Sequence, residues 1–149
     1  MKIRQGFVSN SSSSSFVVIM KNGKEMTKET LLEAFDVKKT SPLYVFAKDL
    51  ADWIMNNVEK QDIKSLFENY CYRSEKLTEN EMIDNMVEEC SEKYKAEKRE
   101  ELEKIRDNEI FYYEGSAVSD SGEGLEYYLC ETGINVNTDI ITIKSGGGY

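Results

Sequence analysis

Few residues in this chain are equipped for chemistry. There is no histidine, so proton transfer near neutral pH would fall to carboxylates, tyrosine, lysine or cysteine, each needing a shifted pKa. The densest polar run is Ser9, Asn10, Ser11, Ser12, Ser13, Ser14 and Ser15, set between Gly6-Phe7-Val8 and Phe16-Val17-Val18-Ile19. An apolar triplet, a small polar run and an apolar quartet suit a strand end, a serine-lined turn and a second strand. Serine hydroxyls satisfy local backbone groups in such a turn. The same run suits an anion nest, where successive N–H groups and hydroxyls cradle a phosphate or carboxylate. It also suits a modification site, where phosphate would add negative charge to a weakly basic region. With no glycine inside the run and no Lys-Ser or Lys-Thr after it, it is not a P-loop.

The second candidate is the loop from Gly115 to Gly124, where Asp120 and Glu123 lie close together and Glu114 precedes them. Three such carboxylates are oxygen ligands suited to Mg²⁺ or Ca²⁺, but the spacing is not that of an EF-hand. An ordinary solvated loop is the expected reading, with no metal site and no cofactor. The Asp120 to Gly124 turn would make a helix-start anion site, but its own acidity opposes that. Cys71, Cys90 and Cys130 are far apart, with no CxxC, so neither zinc nor a disulfide framework is expected. Each sits on an apolar face, as a buried inert thiol would. No residue is assigned a catalytic role.

These groups must be held by elements that the apolar spacing outlines. Phe16 to Met20 reads as a central strand. Thr27 caps a short helix to about Val37, with Leu31, Leu32 and Phe35 on one face. Lys38 to Pro42 breaks it, and Leu43 to Ala47 reads as a short strand. Asp49 starts a helix carrying Leu50, Trp53, Ile54 and Val58. Trp53 is expected in the core or at an interface. Asp62 caps the next helix, with Ile63, Leu66, Phe67, Tyr70 and Cys71 at helical spacing.

Thr78 to Glu81 is a capping-box signature. Met82, Ile83, Met86, Val87, Cys90 and Tyr94 follow on one face, and the helix is expected to run on through Leu102 and Ile105. Its Lys95 to Lys104 stretch is nearly all charged. It reads as a solvated helix that projects or lies on the surface, with a homodimeric coiled coil as the alternative. Ile110 to Tyr113 returns to strand character. Glu123 to Glu131 reads as a short helix ended by Gly133, with a strand as runner-up. Ile140 to Ile143 is a strand, and Gly146-Gly147-Gly148-Tyr149 follows as a flexible tail able to dock on a partner or back on the domain.

At 149 residues and 40% apolar composition, one domain with a real core is expected. The expected fold is α+β: a small sheet from strands near 6–9, 15–20, 110–114 and 139–144, carrying a central helical region. No apolar run is long enough to span a membrane and the serines interrupt any signal-peptide core, so a cytoplasmic location is expected. The net charge is −9. Residues 1–73 sum to about +2, residues 74–109 to about −6 and residues 110–149 to about −5. That balance works against a nucleic-acid backbone site and favours a basic protein surface as partner.

The opening Met1-Lys2-Ile3-Arg4-Gln5-Gly6-Phe7-Val8-Ser9-Asn10, continuing through the serines to Phe16, resembles the start of a widespread set of small proteins of tailed bacteriophages, prophages and some bacteria. The closing Asp139 to Lys144 with Gly146-Gly147-Gly148-Tyr149 resembles the end of some members. The resemblance covers the ends of the chain only and carries over no functional residue. It implies a phage or mobile-element origin, where small acidic proteins often bind a host protein. The expected function is a non-enzymatic acidic protein that binds a basic partner, as an inhibitor or a nucleic-acid-mimic-like modulator. Trp53, Glu100, Glu101, Glu103 and Tyr149 are its candidate contacts. One alternative is a phosphate or small-ligand module using Ser9 to Ser15 with Asp120 and Glu123. Another is a structural virion or assembly component. A homo-oligomer is compatible with each.

Overall fold

The computed structural model describes residues 13–70, 76–118, 125 and 133–145. Its organising element is β1 (Ser13–Met20), whose alternation of side chains decides which face of the sheet becomes the main core. Phe16, Val18 and Met20 are fully buried, while Val17 and Ile19 between them point the other way and are half-buried. Among the described residues four more strands join it in the sheet: β2 (Val58–Gln61), β3 (Phe111–Val118), β4 (Asn135–Asn137) and β5 (Ile141–Ser145). The order is β2-β3-β1-β5-β4 and every pairing is antiparallel. Two strands from near the end of the chain thus flank β1 on both sides. The domain is α+β, as the separation of apolar strands at the ends from helical spacing in the middle predicts.

The first core lies against the face that carries Phe16, Val18 and Met20. It is closed by α1 (Lys28–Phe35) and α2 (Tyr44–Asn57). Thr27 caps α1 by accepting from the Thr30 N–H at 3.1 Å, and Asp36 ends it in a left-handed conformation. Leu50, Ala51 and Ile54 of α2 share this core with Leu31, Ile141 and Ile143, and Ala47 is buried one turn earlier on the same helix. Trp53 packs its ring edge-on against Phe16, 5.7 Å between centroids. Tyr113 accepts a hydrogen bond from the Met26 N–H at 3.1 Å and so ties the turn after β1 to the sheet.

The short strand expected over Leu43 to Ala47 is instead the first turn of α2. Its local β-propensity loses to the spacing of Ala47, Leu50, Ala51 and Ile54, which buries one continuous helical face. The helix therefore starts at Tyr44, not Asp49. It also ends earlier than its apolar spacing predicted, because Val58 opens the edge strand β2. The corner between α2 and β2 sits directly on Gly115: a Cβ there would stand 2.1 Å from the Asn57 carbonyl oxygen. Gly115 to Val118 are thus strand, where a loop was expected, and the glycine is required by the close approach of a second backbone.

A second core is built by α3 (Ile63–Tyr70), α4 (Glu79–Glu88) and α5 (Lys95–Arg106). Asp62 caps α3, its carboxylate accepting from the Ser65 N–H at 2.7 Å, a bond that also lowers the carboxyl's pKa. Thr78 and Glu81 form the expected capping box at α4. The helix does not continue to Ile105 as the spacing predicted. It stops at Glu88, passes through one turn of 3-10 helix at Glu92–Tyr94 and reverses. The reversal puts Leu102 and Ile105 against Ile83, Met86 and Val87. Arg99 to Asp84 at 2.7 Å and Lys95 to Glu88 at 3.4 Å mark an antiparallel pair. The charged helix therefore lies on the surface, and its buried apolar residues are spent inside this chain.

Gly115→Ala should lower stability by about 2 kcal/mol or more, because the added methyl meets main chain that cannot step aside. Ser116→Ala, exposed on the neighbouring position, should stay within about 0.5 kcal/mol. Urea unfolding of the two variants beside the parent checks this.

Candidate functional site

Alternation along the strands assembles a second, less covered face. Ser15, Val17 and Ile19 of β1 lie on it. The register places Glu114 and Lys144 on either side of Val17, and Tyr112 and Thr142 on either side of Ile19. Helix α5 runs along this face. Between them lies a cavity of about 400 Å³ with Val17, Ile19, Tyr112 and Ile134 as apolar walls and Ser15, Glu101, Asn135 and Lys144 as polar ones. A second cavity of about 340 Å³ shares Ile19 and Glu101 with it and is bounded by Glu97, Glu100 and Lys104. The two make one open groove between helix and sheet.

Its two sides differ in charge. On the helix side, Glu100 holds Lys104 at 2.8 Å and Glu101 meets Lys98 at 3.5 Å. The first pair lowers the Glu100 pKa and raises that of Lys104. Glu97 on this side and Glu114 beneath it join no ion pair among the described residues. On the sheet side, Lys21 is held by the Asn137 Oδ1 at 2.6 Å and the Thr138 carbonyl at 2.7 Å, while Lys144 is exposed and in no ion pair among the described residues. Tyr112 forms the wall between the groove and a smaller cavity of about 230 Å³ under α3, α4 and α5. Burial pushes its phenol up to about 12, with the carboxylates of Glu114 and Glu101 adding to the shift. The phenol therefore stays protonated at neutral pH.

The structure brings together only part of the sequence-derived set. Ser13, Ser14 and Ser15 are strand residues paired with Val118, Ala117 and Ser116. The expected serine turn, and the nest reading with it, is corrected over these three positions. Extension of β1 toward the N-terminus is stabilised by pairing with β3, which local turn preference does not outweigh. Ser14 is buried toward the first core, its hydroxyl without a hydrogen-bond partner among the described residues, and Ser15 reaches the groove. Glu100 and Glu101 line the groove. Glu103 lies on α5 outside it, and Trp53 belongs to the first core. Ser9, Asn10, Ser11, Ser12, Asp120, Glu123, Tyr149, Cys71 and Cys130 lie outside the described residues, as does nearly all of the helix expected over Glu123 to Glu131. Gly133, its expected end, has φ +76°. Cys90 is half-buried with its thiol toward the Met86 carbonyl at 3.6 Å.

Val17, Ile19, Tyr112, Glu97 and Lys144 were not singled out by sequence. Their signal is the period-two alternation over 15–20, 110–113 and 140–144. It becomes legible only once the strand order is known. Among the described residues no group of three His, Cys, Asp or Glu is placed to hold a metal. The arrangement suits recognition: an apolar floor excludes water and flanking polar groups fix orientation.

Because burial pushes the Tyr112 phenol up to about 12 from 10.0, its contribution to stability is intact below pH 10 and declines as pH rises from 10 toward 12. Phenolate absorbance should show one late-titrating tyrosine that Tyr112→Phe removes, and the variant should lose less stability over that interval. Compared with protein-family models, with curated proteins and with solved structures, the chain matches none.

Proposed function

We propose that this protein is a non-enzymatic binding protein that engages a basic partner through the α4–α5 helical pair. One observation carries the reading. Every basic side chain from Glu79 to Glu109 is already engaged: Lys95, Lys98, Arg99, Lys104 and Arg106 in ion pairs, and Lys93 over the Tyr94 ring. Glu79, Glu89, Glu97, Glu103 and Glu109 are left with no ion pair among the described residues. A surface that has exhausted its own cations attracts those of another molecule, steering encounter more than it adds affinity.

The resemblance of the chain's ends to small phage and prophage proteins supports a host protein as the target, met in the cytoplasm. Among the described residues no helix is long and apolar enough to cross a membrane. A target that normally receives DNA offers the required basic surface, which makes this protein an inhibitor or modulator by competition.

Affinity capture from host lysate at low and high salt tests the proposal. One dominant basic protein should be retained at low salt and lost at high salt, since screening shortens such attraction to about 8 Å at physiological ionic strength. Glu89→Lys with Glu97→Lys should weaken capture roughly tenfold. Capture indifferent to both salt and charge reversal would reject the electrostatic reading.

A further inference from the structure

Asn22 stands just past β1, in the turn that leads toward α1, and it is the one asparagine of the chain that is followed by glycine. The main-chain nitrogen after an asparagine can attack that asparagine's own side-chain amide, and a glycine leaves the nitrogen unshielded by a Cβ. Three features of the turn favour the attack. Asn22 and Gly23 are exposed, so hydroxide and water reach them. The Asn22 Oδ1 accepts from the Lys24 N–H at 3.1 Å, which fixes a donor on the oxygen where negative charge develops. The Gly23 N–H donates to no main-chain acceptor among the described residues, so its proton leaves without breaking a backbone bond of the fold. Asn137 makes the contrast. Its Oδ1 also accepts, from the Lys21 Nζ at 2.6 Å and the Thr142 Oγ1 at 2.8 Å. The nitrogen that follows it, however, is spent: the Thr138 N–H donates to the Ile141 carbonyl at 2.9 Å, and the β-branched side chain crowds its approach.

We propose that Asn22-Gly23 is a self-modification site, where the folded chain converts Asn22 to aspartate and isoaspartate through a succinimide. The conversion is a net hydrolysis, with nothing oxidised or reduced. The Gly23 nitrogen gives its proton to solvent hydroxide and bonds to the Asn22 Cγ. The Cγ–Nδ2 bond then breaks, and Nδ2 takes a proton from water and leaves as ammonia. Water opens the ring at either carbonyl. Attack at Cγ restores the original main chain and gives aspartate. Attack at the main-chain carbonyl leaves the chain routed through Cγ and gives isoaspartate. Either product adds one negative charge to the −9 of the chain. Aspartate keeps an acceptor for the Lys24 N–H. Isoaspartate lengthens the main chain in a turn with little room, since a Cβ on Gly23 would stand 3.5 Å from the Glu109 carbonyl oxygen and 3.7 Å from that of Asn108. This site stands apart from the reading of the protein as a binder of basic partners and does not depend on it.

Incubation of the folded full chain in mildly alkaline buffer, followed by peptide mass spectrometry, tests the proposal. Position 22 should gain about 1 Da, and faster at higher pH, because the attack needs the deprotonated nitrogen. An isoaspartate-specific carboxyl methyltransferase should label the product. Asn22→Gln, which would have to close a larger ring, should abolish the mass gain at position 22 and remove its share of the label. Circular dichroism confirms that this variant is folded. The decisive comparison is with the same chain unfolded in urea. Asn22 should convert at least as fast when folded, because the fold supplies the Lys24 donor, whereas Asn137 should convert only in urea. Slower conversion of Asn22 in the folded chain than in urea would overturn the proposal. So would folded Asn137 converting as fast as Asn22, or a mass gain at position 22 with no isoaspartate, which would mean direct hydrolysis of the amide.

Discussion

The pairing of β1 on both of its edges is the constraint from which the rest of this structure follows. Phe16 to Met20 hydrogen-bond to β3 on one side and to β5 on the other. Both partners come from the last third of the chain, so the sheet against which α1 and α2 pack exists only once distant parts of the chain have met. A strand paired on both edges has its backbone groups satisfied, and its side chains then divide strictly by alternation. Phe16, Val18 and Met20 create one core. Val17 and Ile19 are turned to the other face, and that division is what makes a groove there at all.

The two faces are covered in different ways. On the first, α1 and α2 bury a continuous apolar layer, fitted closely enough that the α2 corner rests on the bare backbone of Gly115. On the second, α3, α4 and α5 form a core of their own, joined to the sheet through Ile110 and Tyr112. Such a layer covers only the part of the face that it reaches. The groove is the remainder, and α5 supplies its wall. A helix that spends Leu102 and Ile105 inward has its charged residues left over for the outside. The electrostatics of the site are therefore a by-product of how the second core is closed.

Capping and periodicity in the sequence foretold the helices with local start signals. Thr27, Asp62 and Thr78 each carry the side chain that satisfies the first free N–H groups, so α1, α3 and α4 were legible where they begin. Where a decision depended on distant residues, local reading failed. Leu43 to Ala47 looks like a strand by residue type, and its helical state depends on the layer against which Ala47 packs. The stretch from Glu79 to Ile105 looks like one helix, yet the apolar residues at its two ends satisfy each other only if the chain reverses between them. Ser13 to Ser15 look like a turn, and they extend because Ser116 to Val118 are alongside.

The sequence by itself determined the class of the fold, the excess of acid in the second half, the absence of histidine and the main positions buried in each core. Composition and periodicity are local quantities, and burial of an apolar stripe follows from them wherever the chain ends up. Only the tertiary structure decided that Ser15, Tyr112, Glu101 and Lys144 share one groove. They come from three strands and a helix, and whether such residues meet depends on strand order and register, where a shift of one residue sends every side chain to the opposite face. That order is set by the summed pairing and burial of the whole domain, which no single stretch of sequence contains.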